Sequence, residues 1–572
     1  MQELCAARER LESVLCAYED ACLATVEYPM LSTVPDGPFG TRSEFIETEM
    51  RLYSAILLKA ERCKAILNKT RNSLPSLVPI SSLPNEVLCR IFRFVMDEHP
   101  VNVEGLVDCY ESPINSLAIS HVCSHWRQVA LGWRNLWTDI GVFVKKHNNL
   151  VELGNIFAER SADLPLNIRI IEPFRGSRVA SGPFTSFLSR IAPRVATFEF
   201  KMLPPLRGDL SSYQLSILET NFAEWKPGQC TRLTIIDRNI MTTSDLKDKY
   251  FNTSAHWFLL PQDTTVPMNI HGRPARLNID RGHFEDILAQ ITILELNSVI
   301  YPYWTSKAYH GLVELSLMGP RRITTIITIS QLADILTSSP SLRTLYFGLE
   351  VSVTGVTPQS VHLADLETFL LHSLHHDTQQ AVLKLINPGR KPLQVSMTYD
   401  ERKHRFLPAN FEDEFRRFFR RSNIVELEIQ GCEPDIKMPE LLELLPNLEA
   451  LIIHSSHLEH VRLSNEESLS GVLFLKLHIL RLRYCTFPLA TFQWMANACS
   501  FQKVSLLHCS ILPETGIPFH RAEKHASTLE RICPFIQWPD HMGIDVDGIE
   551  ERTPPDVIYR IPAASLTDYR LY

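Results

Sequence analysis

Glycine is scarce in this chain, at 22 of 572 residues. Loops that cradle phosphates lean on glycine, and neither Gly-x-x-x-x-Gly-Lys-Ser/Thr nor Gly-x-Gly-x-x-Gly occurs. His-Glu-x-x-His and Gly-x-Ser-x-Gly are missing too, which removes the sequence basis for a zinc protease or a nucleophile elbow. Positive charge is not in excess. Against 65 Asp and Glu stand 57 Lys and Arg, a net charge of −8, so neither nucleic acid nor an anionic membrane surface is an expected partner. No apolar run nears the ~20 residues that span a bilayer. Met1-Gln2-Glu3-Leu4-Cys5 opens without the basic-then-apolar order of a secretory leader. The thirteen cysteines are odd in number, dispersed, and never arranged as Cys-x-x-Cys. They read as reduced thiols of a cytoplasmic and/or nuclear protein. No cofactor, bound metal or catalytic residue is expected.

What is present begins with helices. Leu4, Leu11, Leu15, Tyr18 and Cys22 recur at helical spacing. After a Pro- and Gly-rich break over residues 29–40, Ile46, Met50, Tyr53, Leu57, Ala60 and Leu67 alternate by four and three, interrupted by Lys64. An intramolecular helical pair is expected over residues 1–75, with a short coiled coil as the alternative.

The most informative stretch follows. Ile80-Ser81-Ser82-Leu83-Pro84-Asn85-Glu86-Val87-Leu88-Cys89-Arg90-Ile91-Phe92 sets Pro84 at a helix start and Glu86 in the first turn. Val87, Leu88, Ile91, Phe92 and Val95 fall on one side of that helix, and Val122, Trp126, Val129 and Trp133 make a second apolar stripe. So short a pair of helices cannot bury this much apolar surface alone. The stretch resembles an F-box, the module that docks onto the Skp-type adaptor of SCF ubiquitin ligases. The resemblance is carried by Leu83-Pro84, Val87-Leu88-x-x-Ile91-Phe92, Ser120-x-Val122-Cys123-x-x-Trp126-Arg127 and Trp133-x-x-Leu136-Trp137. It is similar to the F-box proteins of mushroom-forming fungi. The connection from Met96 to Pro113 is longer than that family's average. The resemblance implies adaptor contacts by Leu83, Pro84, Val87, Leu88, Ile91, Phe92, Val122, Trp126 and Trp133.

Beyond Trp137 one pattern recurs: apolar residues at i, i+3 and i+5. Clear copies begin at Val195, Cys230, Ile291, Leu312, Leu342, Leu366, Ile424, Leu448, Leu477 and Phe501. Weaker ones are Ile168/Ile170, Leu277/Ile279 and Val395/Met397. Cys432, Cys485 and Cys509 stand at i+8, with Phe487 and Ile511 at i+10. This resembles the leucine-rich repeat, whose strand turns i+3 and i+5 inward and closes on a small buried thiol. Helical segments such as Ser330–Leu336 and Pro439–Leu445 intervene, each followed by Pro-x-Leu.

The expected fold is an α/β solenoid. An N-terminal helical segment (1–75) and an F-box (76–140) precede an irregular leucine-rich-repeat-like array of short parallel strands and helices (141–536), then a cap and tail (537–572). The function implied is that of a substrate-receptor subunit of an SCF-type ubiquitin ligase. It would reach a cullin–RING complex through the Skp-type adaptor and hold a protein substrate on the repeats. A repeat scaffold outside ubiquitin transfer is the alternative, and a hydrolase or transferase within 141–290 has no motif behind it. Substrate contacts are expected at the outward strand positions i+4 and i+6: Glu428, Gln430, Ile452, His454, Arg481, Arg483, Ser505 and Leu507. Three clusters carry chemistry-bearing side chains: His454/His457/His460, His372/His375/His376, and Arg416, Arg417, Arg420 and Arg421 beside Phe411, Phe415, Phe418 and Phe419. Solvated residues are the expectation for all three. Zinc is the sharper alternative for the histidines, and an acidic or phosphorylated partner for the arginines.

Overall fold

The computed structural model describes residues 2–27, 42–72, 79–97, 115–143, 149–172, 181–202, 210–237, 257–265, 273–319, 326–353, 358–372, 376–398, 411–430, 438–454, 456, 458, 474, 476–512, 520–522 and 526–538. The chain divides into two units, Met1–Ile91 with Ile119–Val129, and Phe92–Ala118 with Ala130–Tyr572.

The first unit is helical. It holds α1 (Gln2–Glu27), α2 (Arg42–Asn72) and the start of α3 (Asn85–Asp97). Helix α3 opens where Pro84 O accepts from Val87 N (3.0 Å) and Leu88 N (3.1 Å), so proline precedes the first turn and forfeits no bond. The second apolar stripe does not lie on one helix. Trp126 and Val129 lie on α5 (Ser124–Gly132), Val122 falls in the break between α4 (Asn115–His121) and α5, and Trp133 follows the end of α5. Cys123 starts α5 by taking Trp126 N–H on its sulfur (3.4 Å) and Arg127 N–H on its carbonyl (2.9 Å).

The second unit is mixed α/β and carries a 14-stranded sheet. Its strands are β1 (Asp139–Phe143), β2 (Leu166–Ile171), β3 (Val195–Met202), β4 (Arg232–Asp237), β5 (Ile293–Asn297), β6 (Glu314–Met318) and β7 (Thr344–Gly348). They continue as β8 (Thr368–His372), β9 (Leu393–Thr398), β10 (Ile424–Gln430), β11 (Ala450–His454), β12 (Ile479–Arg483), β13 (Lys503–Leu507) and β14 (Ile536–Gln537). Each pairs in parallel with the next in sequence order. Parallel neighbours need a crossover. Helices such as Asn149–Arg160, Ser212–Glu224, Ile329–Thr337 and Leu489–Ala498 supply it. Ile329–Thr337 opens on a capping box, Thr328 with Gln331.

The registers align the apolar positions into rows. Ile140, Ile168, Phe198, Leu233, Leu294, Leu315, Leu345, Phe369, Val395, Leu427, Leu451, Leu480, Val504 and Ile536 are paired partners, and all but Ile536 are buried. A second row runs from Val142 to Leu506 two residues on. At ~1.5–3 kcal/mol per buried large apolar side chain, these rows dominate the favourable terms in the sheet.

The weak copies at Ile168/Ile170 and Val395/Met397 are full strands of this sheet, and β1 and β14 extend it beyond the copies named above. Leu277/Ile279 is not a member. It follows Arg273–Arg276, a strand of a separate three-stranded sheet whose other strands are Trp257–Leu260, in the same long step before β5, and Val299–Ile300, just after β5. Phe198, Trp225, Phe222, Phe284 and Tyr301 hold that irregular stretch together through edge-to-face contacts at 5.5, 5.1, 5.2 and 5.3 Å.

Past β12 and β13 the chain turns through Tyr484 and His508, both left-handed (φ 53° and 50°), with their rings stacked at 5.2 Å. Buried Cys485 and Cys509 follow. Each thiol donates to strand carbonyls, Ile453 O (3.2 Å) and Leu482 O (3.2 Å) respectively. These thiols are structural, as the repeat pattern expects; Cys432 lies outside the described residues. Phe487 and Ile511 then pair in a short outer ladder.

Candidate functional site

Two surfaces hold the residues singled out by the sequence. On α3 the apolar residues part into two sets. Leu88 and Phe92 are fully buried, so as folded they support the helix and offer nothing to a partner. Val87, Phe94 and Val95 are exposed and Ile91 half-buried, an outward stripe at i, i+4, i+7 and i+8. Phe94, 66% exposed, lies two residues beyond the end of the Val87-Leu88-x-x-Ile91-Phe92 motif. Pro84 is exposed and Leu83 half-buried. Of the remaining residues, Val122 is 57% exposed, whereas Trp126 and Trp133 are half-buried. Arg127 Nε donates to Ser120 O (2.9 Å), which closes the α4–α5 corner beneath Val122. Trp137, in contrast, is a core residue: fully buried, with Nε1 donating to Ala130 O (2.8 Å).

The second surface is the outward side of the last strands. The sheet sets the eight expected contact residues in two rows, Glu428–Ile452–Arg481–Ser505 and Gln430–His454–Arg483–Leu507. They are not a uniformly solvated face. Glu428, His454, Arg483 and Ser505 are buried; Gln430, Ile452, Arg481 and Leu507 are half-buried. Strand alternation tells which side a residue takes, not how much of that side is covered.

Glu428 is the hub. Ser396 Oγ donates to Oε2 (2.8 Å), Gln430 Nε2 to Oε1 (3.2 Å), and His454 Nε2 lies 3.0 Å from Oε1. Burial pushes the Glu428 carboxyl up, but hydrogen bonds from His454, Ser396 and Gln430 outweigh it and hold the group below the usual carboxylate range. Burial, together with Arg483 and Arg481 nearby, outweighs the pull of Glu428 on His454 and keeps the imidazole below its usual range, hence neutral at pH 7. Serine, carboxylate and imidazole meet here in the wrong order for acyl transfer. The acid stands between the other two, so the imidazole cannot take the hydroxyl proton. The arrangement suits a rigid polar floor flanked by half-buried side chains.

A neutral buried histidine makes this region acid-sensitive. With its folded pKa below the ordinary value near 6.5, the unfolded chain takes the proton first, so stability is full above ~6.5 and declines as pH falls through that value. Glu428 adds a further loss only below the ordinary 4.5. Calorimetry at pH 7.5 and 5.5 should therefore give a Tm drop in the native chain that is smaller in His454→Gln. Equal drops in the two proteins would contradict this account.

The arginine-rich helix, Phe411–Arg421, is largely committed internally. Arg416 pairs with Glu440 (2.6 Å) and Arg417 with Glu414, and Arg421 donates to Leu383 O and Ile386 O while stacking on Phe418. Phe418 and Phe419 are buried. His457, His460 and His375 lie outside the described residues, and among the described residues no cluster of three His, Cys, Asp or Glu side chains is set to hold a metal. Among the described residues, too, no helix is long and apolar enough to cross a membrane. The sequence matches no protein-family model and no curated protein.

Proposed function

We propose that this chain is the substrate-receptor subunit of an SCF-type ubiquitin ligase. In this reading residues 83–133 act as an F-box on a Skp-type adaptor, and the 14-stranded sheet with its crossover helices is a leucine-rich-repeat-like solenoid that binds a protein substrate. The observation that carries it is the outward apolar stripe of α3, Val87, Ile91, Phe94 and Val95, which stays open to solvent inside a sequence with the F-box pattern. The sequential parallel order of the strands supports the second half. Each repeat then contributes one strand to a continuous ladder whose outward rows meet a client. In this reading the adaptor contacts are those the F-box resemblance implies, Leu83, Pro84, Val87, Ile91, Val122, Trp126 and Trp133, to which α3 adds Phe94 and Val95, while buried Leu88 and Phe92 support the helix. On the substrate side Gln430, Ile452, Arg481 and Leu507 make contact, and Glu428, His454, Arg483 and Ser505 support them. Transfer chemistry belongs to the other subunits; this chain raises the local concentration of a client lysine. Such a complex works in the cytoplasm or nucleus.

Co-expression with a Skp-type adaptor and affinity capture tests the reading. Val87→Glu/Ile91→Glu places two carboxylates where a partner helix must desolvate them, and capture should fall on the order of a hundredfold, at about 1.4 kcal/mol per factor of ten. Val87 is exposed and Ile91 only half-buried, so the fold should hold with at most a small fall in Tm. Leu83→Ala/Pro84→Ala should weaken capture in the same direction. Undiminished capture by the double glutamate variant would refute the docking face. Capture without any ubiquitylated client would turn the reading toward a scaffold.

A further inference from the structure

The long helices α1 and α2 present the largest stretch of uncovered apolar side chain among the described residues. They touch through Tyr18 and Tyr53, whose rings stack at 6.2 Å, and through Tyr18 Oη donating to Glu49 Oε2 at 3.0 Å. Yet the heptad positions stay open. Ile46, Met50, Leu57 and Leu67 on α2 are 51, 62, 49 and 50% exposed, and Leu4, Leu11 and Leu15 on α1 are exposed as well. A helix gains most of its stability from packing an amphipathic face. The 31-residue α2, about 46 Å long at 1.5 Å per residue, has that face uncovered although its intramolecular neighbour is already in place.

The charges on α2 say what covers it. The first third of α2, residues 42–52, carries Glu44, Glu47 and Glu49 between Arg42 and Arg51. The last third, residues 62–72, carries Arg62, Lys64, Lys69 and Arg71 and no acid. The acids gather toward the start and the unopposed bases toward the end, so the helix run backwards sets unlike charges together. A parallel copy would set base on base and bury Lys64 against Lys64. An antiparallel copy brings the basic end of each helix beside the end of the other that holds the glutamates, and lets Lys64, the one charge interrupting the apolar alternation, reach carboxylates. That is the self-complementarity a two-fold interface requires. We propose that the protein is a homodimer joined by antiparallel pairing of α2 with α2 of a second copy, the stripe Ile46–Met50–Tyr53–Leu57–Leu67 forming the seam. The proposal is independent of the adaptor reading, which rests on α3.

The full chain should elute in light scattering at ~10 µM with about twice the 65.4 kDa chain mass. Leu57→Lys at the middle of the seam should raise the dimer dissociation constant at least tenfold and give monomer, while circular dichroism and Tm of the sheet-bearing unit stay unchanged. Zero-length carbodiimide coupling of mixed isotope-labelled and unlabelled chains should link Glu47 of one copy to Lys64 or Lys69 of the other. Glu44→Lys/Glu47→Lys/Glu49→Lys alone, and Arg62→Glu/Lys64→Glu/Lys69→Glu alone, should each be monomeric, and mixing the two should restore a heterodimer. A monomeric native chain, a dimer indifferent to Leu57→Lys, or inter-copy links joining like ends of α2 would overturn the proposal.

Discussion

Trp137→Ala is expected to cost about 3–5 kcal/mol, the range for truncating a buried large aromatic. The side chain has no exposed surface. Its ring meets Phe157 edge-to-face at 5.1 Å, the Arg160 guanidinium lies 4.3 Å from its centroid, and its N–H is bonded to Ala130 O. Phe157 and Arg160 belong to the helix that carries the chain from β1 to β2. The indole therefore fastens the first strand to its own crossover. Because each strand of the sheet pairs only with its sequence neighbours, the loss should stay near that end. Hydrogen exchange should accelerate over residues 139–143 and 166–171 well before residues 503–507, alongside a lower urea midpoint. Trp137→Phe keeps a ring against Phe157 but leaves Ala130 O unpaired, so a smaller cost of about 1–3 kcal/mol is expected. Uniform exchange along the whole sheet in Trp137→Ala, or none gained at residues 139–143, would contradict this assignment.

The strand ladder was legible because burial on a strand forces an apolar residue at every second position, and the i, i+3, i+5 spacing survives wherever both neighbours are strands. The terminal strands carry the spacing too, as Trp137/Ile140/Val142 at β1 and Cys533/Ile536/Trp538 at β14, although each has a partner on one side only. Leu277 and Ile279 show the limit of the pattern: both are buried, but they lie in the bend after Arg273–Arg276, so two apolar residues spaced by two need not belong to a strand. On α3 the amphipathic pattern was visible, but apolar residues cover more of its circumference than one contact needs, so sequence spacing could not divide Leu88 and Phe92 from Val87 and Ile91. Val122 and Trp126 matched one helical period across a chain that breaks at Val122. The left-handed turns at Tyr484, His508 and Ser298 carried no glycine to announce them. The Glu428 network was hidden for a different reason. Polar residues at outward strand positions look solvated until the surrounding cover is known.

Adding one methyl group at Gly389 should be the other severe change. This residue follows the outer strand Ile386–Pro388, which pairs with Val361–Leu363, and its N–H donates to Leu363 O (3.0 Å). A Cβ there would press on the carbonyl oxygen of Ala364 and sit 2.8 and 2.9 Å from Ala364 Cα and C. All three are backbone atoms held by the strand pairing, so the clash cannot be relieved by a side-chain rotation. Gly389→Ala should therefore cost about 3 kcal/mol, the upper end for overpacking. Gly154 and Gly132 calibrate the argument. A Cβ at Gly154 would meet the Phe187 ring, with the nearest atom at 2.8 Å, and a ring at the end of a rotatable side chain gives way more readily than backbone. At Gly132, the last residue of α5, nothing lies within 4 Å, and alanine should be neutral or stabilising by up to about 1 kcal/mol. The order of urea midpoints is then Gly132→Ala at or above the native chain, Gly154→Ala below it, and Gly389→Ala lowest. If Gly389→Ala matched Gly132→Ala instead, the outer ladder between residues 361–363 and 386–388 would not approach as closely as its register requires.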